Sequence, residues 1–340
     1  MTSFFPGFAR RRPLSVFICA ASVAILAACS SGGSSSAASG SGQAATSDSG
    51  SLTNLTVAYA STGAGFSDLY VGVADGIFKK YGLNVNLVQV TPANLVPALL
   101  SGSAQIGGGV ADGAASAILK GEKLEYVALT EGTYNLQLWV NKGINSVSDL
   151  AGKSVALTTQ GSETDFGLTA LLQQYGVNPS SVGRKYVVSS PQMVSAMRSG
   201  AVAAGLFQPP TAQSLTEVGG KVLDSLSNLP YAVGAYIATS SYATSNPGVI
   251  TKFITAEKAN LAFLRSNPQQ TLAAIQQYNS TSTTADDKIA YDFFLHVWKQ
   301  NPTIEPSLIK AAFSRAAATA HTTAPSSVTP YIFSGSQASG

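Results

Sequence analysis

The pattern of apolar and polar positions divides the chain into short alternating segments. Leu55, Val57 and Tyr59 fall on one face of an alternating stretch, which predicts a strand over 52–59. Small residues follow from Ser61 to Gly65. Leu69, Tyr70, Val73, Ile77, Phe78 and Tyr81 then recur at helical spacing until Gly82 stops the run. A second strand is predicted over 84–90, a short helix around Leu95, Leu99 and Leu100, and a third strand at Ile106 closed by a turn at Gly107, Gly108 and Gly109. A helix over 114–120 and a strand over 124–129 complete this half. The rhythm restarts with strands at 153–157, 186–188 and 203–207, separated by helices that open at Ser162 and at Pro191. Residues 231–239 are apolar and strand-like and are predicted to return the chain to its first half; from Pro247 to about Ala318 the spacing is helical. Strands alternating with helices at this pace predict an α/β fold with mostly parallel sheets covered on both faces. The length favours two lobes. They are placed at 52–140 plus 232–325 and at 141–231, with an irregular tail over 326–340 and hinges near 136–141 and 231–239.

The N-terminus follows a different logic. Arg10, Arg11 and Arg12 precede an apolar stretch from Leu14 to Ala28 broken only by Ser15 and Ser22. A membrane-spanning helix needs roughly 20 apolar residues. A basic cluster, a short apolar run and small residues at its end instead describe a secretory signal over 1–28. The following segment to Ser51 is nearly all Ser, Gly, Ala and Thr, too poor in apolar surface to offset its ordering entropy, and is predicted to be a flexible tether over 29–51.

Charge and cysteine content narrow the classes. The net charge of +3 comes from 20 basic and 17 acidic residues, and three of the basic ones are Arg10, Arg11 and Arg12, so the remainder is balanced. A balanced chain gives no electrostatic footprint for nucleic acid. Cys19 and Cys29 are the only cysteines and both precede the domain, which leaves it without a disulfide or a cysteine metal site.

Several stretches resemble known families. Leu26 to Cys29 (LAAC) resembles the lipobox of bacterial lipoproteins, which implies cleavage before Cys29 and a lipid on it. Asp68 to Val88 (DLYVGVADGIFKKYGLNVNLV), Ala98 to Gly107 (ALLSGSAQIG), Ile144 to Ala156 (INSVSDLAGKSVA) and Ser195 to Pro210 (SAMRSGAVAAGLFQPP) resemble, in the same order, motifs of the nitrate, sulfonate and taurine solute-binding proteins. That resemblance implies a periplasmic-binding fold of type II with the ligand cleft between its lobes. It further implies capture of a small organic molecule, sulfonate-like or a nitrogen heterocycle, for an ABC permease. A monomer held by lipid on the outer face of the cytoplasmic membrane is expected, with no cofactor. Three motifs depart from the family: Phe207-Gln208-Pro209 stands where Trp-Glu-Pro is usual, Gln105 where an Asp is usual, and Val202-Ala203-Ala204-Gly205 where Val-Asp-Ala-Ala is usual.

In open α/β sheets ligands sit beyond the carboxyl ends of the strands. The loops at those ends supply Ser61, Thr62, Gly63, Phe66, Asn94, Gly109, Asp112, Tyr134, Gln160, Ser162, Glu163 and Gln208 as candidate ligand contacts. Helix starts in these loops present free N–H groups that hold anions or carbonyl oxygens. Each candidate also has a structural reading: Ser162 to Asp165 fits a capping box, Ser190 before Pro191 an N-cap, Asp68 and Asp112 caps, and Phe66, Tyr134, Phe207 and Tyr231 core aromatics. The loops hold Asp68, Asp112, Glu131, Glu163 and Asp165 but no Lys or Arg, which favours a neutral, aromatic or cationic ligand, or a weak anion held by backbone N–H groups, over a strongly charged oxyanion such as nitrate.

An enzyme is the weaker reading. His296 sits in a helical run and His321 in the tail, and no metal spacing, nucleophile elbow or phosphate loop is present. Ser307 to Lys310 spells S-x-x-K without its companion motifs. The family's pyrimidine synthases of thiamine biosynthesis use a histidine and a cysteine-rich motif, and this domain has no cysteines. A ligand sensor docking on a membrane receptor is the remaining alternative.

Overall fold

A computed structural model describes residues 51–280 and 282–336. The signal-like segment, Cys29 and all but the last residue of the tether lie outside the described residues. The strands are β1 (Thr53–Tyr59), β2 (Leu83–Gln89), β3 (Ile106–Gly109), β4 (Leu124–Leu129), β5 (Gln137–Val140), β6 (Ser154–Leu157), β7 (Gly183–Tyr186), β8 (Ala204–Phe207), β9 (Lys221–Ser225) and β10 (Ala235–Thr239). The helices are α1 (Ser67–Ala74), α2 (Ile77–Lys80), α3 (Pro92–Leu100), α4 (Ala111–Leu119), α5 (Glu163–Gln174), α6 (Ser190–Arg198), α7 (Ser240–Ser245), α8 (Pro247–Ser266), α9 (Pro268–Tyr278), α10 (Thr284–Phe294) and α11 (Pro306–Thr319).

Two five-stranded sheets result, in the orders β2-β1-β3-β10-β4 and β7-β6-β8-β5-β9. Each has a parallel core, with β10 antiparallel inside the first and β5 antiparallel inside the second. Alternation explains why both are covered on two faces. Leu55, Val57 and Tyr59 of β1 join one core cluster with Phe78 and Phe253, while Ala58 between them joins Leu95, Tyr126 and Phe313 on the opposite face. In the second sheet Leu138 and Val140 pack with Leu157 and Leu206, and Trp139 packs behind them with Met193 and Phe207. This is the two-lobed α/β architecture expected from the sequence.

The structure corrects several local expectations. The helical run over 69–81 is two helices, broken by Gly76 at φ 66°. Gly107 to Gly109 are not a turn but the whole of β3 after Ile106, all of them buried. Their lack of side chains is a packing requirement. A Cβ on Gly108 would lie 2.8 Å from Tyr236 and 2.9 Å from Phe66. The segment 137–140, placed with the first lobe, belongs to the second sheet as β5. A buried four-residue strand reads the same in either sheet, so the pattern alone misplaced the boundary. The tail is not free: Val328 and Ile332 are buried, and Ile332 bridges Tyr126 of β4. Gln105 accepts the Thr56 N–H at 2.8 Å, a structural use of that departure from the family pattern.

The chain therefore crosses between sheets over 130–136 and 226–234, and the two crossings bind each other. Tyr134 N–H donates to Leu229 O at 3.1 Å, Tyr231 N–H to Gly132 O at 3.0 Å, and Val233 N–H to Glu131 O at 3.2 Å. This antiparallel ribbon forms the floor between the lobes. Gly108→Ala, which forces a methyl between two rings, is expected to lower unfolding stability by about 1–3 kcal/mol in a urea titration.

Candidate ligand-binding cleft

A cavity of about 740 Å³ lies between the sheets, reached from the ends of β1 and β3, the first turns of α4 and α5, and the crossing ribbon. Among the expected residues it gathers Ser61, Phe66, Gly109, Asp112, Ser162, Glu163 and Gln208. Thr62 and Gly63 line a neighbouring opening of about 620 Å³, and Gln208 borders both. Asn94 and Gln160 are exposed and border neither cavity. Tyr134 is buried behind the wall, stacked on Tyr231 at 4.2 Å between ring centroids, so Tyr231 is the ring that borders the cavity. Asp68 is buried below the cleft, where it accepts the Tyr236 hydroxyl at 2.6 Å. Burial raises the proton affinities of Asp68 and of Glu257 beside it, and a shared proton fits the pair.

The polar chemistry of the wall comes from the acidic and amide side chains of Asp112, Glu131, Asn135, Glu163 and Gln208, with a half-buried cation, Arg315, beside it. Arg315 of α11 grips Asp112 with a forked pair, Nε to Oδ2 and Nη2 to Oδ1, both at 2.7 Å. Its guanidinium carbon also sits 4.2 Å from the Tyr231 ring centroid. A cation thus does reach the cleft region, contrary to the reading from the loops, but its donors are committed to Asp112. Lys120 stands at the outer edge of the cavity. Sequence gave no signal for Arg315, which lies 203 residues from its partner. Glu131 was legible as an acid at a strand end. It follows β4, is 1% exposed, and accepts from Asn135 Nδ2 at 2.9 Å through Oε2. Glu163, in the first turn of α5, borders the same cavity, and its Oε1 is buried with no hydrogen-bond partner.

The expected capping box at α5 does not form. Ser162 makes no side-chain cap bond, and its hydroxyl donates to Thr159 O at 2.7 Å. Asp165 accepts the Gly161 N–H at 2.9 Å and pairs with Arg184 at 2.9 Å. The turn before α5 is tied down by these bonds, and Glu163 is left facing the cavity. At α6 the cap is Ser189 rather than Ser190, one residue earlier than expected.

Electrostatics set these carboxyls apart. Desolvation raises Glu131 well above the ordinary range, and the charges of Asp68 and Glu163 add to the rise against the Asn135 hydrogen bond. Desolvation, with the Asp112 charge second, pushes Glu163 up to about 7. The folded chain therefore keeps this proton between the unfolded value near 4.5 and about 7, where the unfolded chain has released it. Stability from this group is present at acid pH and is lost as pH rises through that window. Glu163→Gln is expected to raise the unfolding free energy by roughly 1–3 kcal/mol at pH 8 and to leave it nearly unchanged at pH 4, measured by denaturant titration at both values.

A family model described as NMT1/THI5 like matches residues 64–271. No curated protein matches the sequence. Among solved structures, the periplasmic aliphatic sulphonate binding protein SsuA of Escherichia coli is 21% identical with a TM-score of 0.65, over 80% of this chain and 92% of that one. The alkanesulfonate-binding protein of Xanthomonas axonopodis pv. citri, bound to MOPS, is 19% identical with a TM-score of 0.63, over 83% and 98%. A Candida albicans gene product with the generic periplasmic binding protein fold is 17% identical with a TM-score of 0.61, over 85% and 99%. These likenesses match the two-lobed fold described above. With well over half of its length matched by the family model, the chain belongs to the NMT1/THI5-like family.

Proposed function

We propose that this protein is an extracytoplasmic solute-binding lipoprotein that captures a small organic molecule carrying a positive charge or N–H donors and delivers it to an ABC permease. The observation that carries this reading is that two acids, Glu163 and Glu131, border one cavity of about 740 Å³, with Glu163 Oε1 shielded from water and without a hydrogen-bond partner. A buried acceptor without a partner costs about 1–3 kcal/mol, which a donor on a ligand would recover. The volume lies within the range of small-molecule sites. Phe66 borders the same space and offers an aromatic side chain to a ring.

Between the two ligand classes expected from the sequence, this wall favours the nitrogen heterocycle or amine over the sulfonate. Helix starts attract anions only where their partial charge is free. Here the first turn of α4 already holds Asp112, and that of α5 holds Glu163 and Asp165. The half-buried cation beside the cleft, Arg315, is engaged by Asp112. Above pH 7, where Glu163 is ionised, a sulfonate would meet its carboxylate with no free counter-charge beside it.

In this reading the ligand draws the lobes together about the crossings at 130–136 and 226–234, and the closed form docks on the permease. Cys29 anchors the chain, and the tether after it gives the domain reach to dock. Among the described residues no helix is long and apolar enough to cross a membrane.

In titration calorimetry at pH 8, organic ammonium ions or heterocyclic amines are expected to bind, and alkanesulfonates, nitrate and sulfate are not; the reverse outcome overturns the assignment. Cys29→Ser is expected to release the protein from membranes and to abolish incorporation of labelled fatty acid.

A further inference from the structure

The cavity does not end at the carboxylates. It continues as a trough between α3 and α4, whose walls are Leu95, Val96 and Leu100 on one side and Ala114 and Ala117 on the other. The trough exists because α4 is built from small residues where it faces α3. Gly113, Ala114, Ser116 and Ala117 border it, and a Cβ added at Gly113 would meet nothing within 4 Å. Leu100 at the end of α3 is 46% exposed although it is a large apolar side chain. No charged side chain borders this stretch until Lys120 and Glu122 at its outer end.

We infer that the captured molecule is amphipathic, with a cationic or N–H donor head at Glu163 and Glu131 and an apolar body lying in the α3–α4 trough. This rests on the head-group assignment proposed above and extends it to the rest of the ligand. A small polar solute bound at Glu163 would leave the trough wetted along its apolar walls. A hydrocarbon or ring system attached to the head would bury that surface, and the hydrophobic gain grows with each carbon placed there. The occupant is assigned to the ligand rather than to a protein partner because the trough is continuous with the cavity that Glu163 and Glu131 border.

The test is a calorimetric series of ethyl-, butyl- and hexylammonium against the full chain at pH 8. Affinity is expected to rise about two- to fourfold per methylene. Gly113→Leu fills the open side of the trough, and a leucine is a better helix residue than glycine. The variant is expected to melt no lower than the parent and to flatten the series. Binding that does not depend on chain length overturns the amphipathic ligand while leaving the head-group assignment standing. A series that stays steep in Gly113→Leu also overturns it, since the chain then lies elsewhere. No binding by any member overturns both.

Discussion

The ribbon formed by the two crossings is the constraint on which the site depends. Each sheet is completed by a strand contributed from across the molecule: β5 enters the second sheet just after the first crossing, and β10 enters the first sheet just after the second. The lobes are thus joined by two short backbone segments that satisfy each other's hydrogen bonds instead of each sheet's. Buried backbone polar groups must find partners, and this pairing lets the crossings run through the floor of the cleft rather than around its surface. Glu131, Asn135 and Tyr231 are there because they are ribbon residues.

The site gathers around that floor in two layers. Tyr134, Tyr231, Arg315 and Asp112 form a closed set, in which stacking and a forked ion pair use up the groups' capacities. This half-buried, forked pair fixes the geometry of Asp112 and Arg315. Glu163 is different. The turn before it is fixed by Thr159, Gly161 and Asp165, so the carboxylate is presented to the cavity without being consumed by its own helix. Burial then makes its charged form costly in the empty protein, and a donor on a ligand relieves that cost.

The order of strands and helices was legible because alternation and helical spacing are local signals. β4 was read at its observed bounds, 124–129, since six consecutive residues between turn signals leave little choice. The same signals failed where local pattern is silent. Three consecutive glycines read as a turn, but the rings of Phe66 and Tyr236 and the side chain of Leu95 require bare backbone there, and β3 is the result. Ser162 matched a capping box by spacing, yet its hydroxyl turned back to Thr159 once Gly161 and Asp165 had closed the loop.

The sequence by itself determined the class of fold, the succession of elements and the strand ends at which the cleft opens, because these follow from periodicity and from the geometry of parallel sheets. It also carried Glu131 and Glu163 as acids at those ends. Tertiary structure alone decided which acids are paired with a cation. Arg315 reaches Asp112 from a helix 203 residues away and cancels it, while nothing among the described residues reaches Glu163 Oε1. Charge in a cleft is settled by contacts between distant segments, and periodicity along the chain does not encode them.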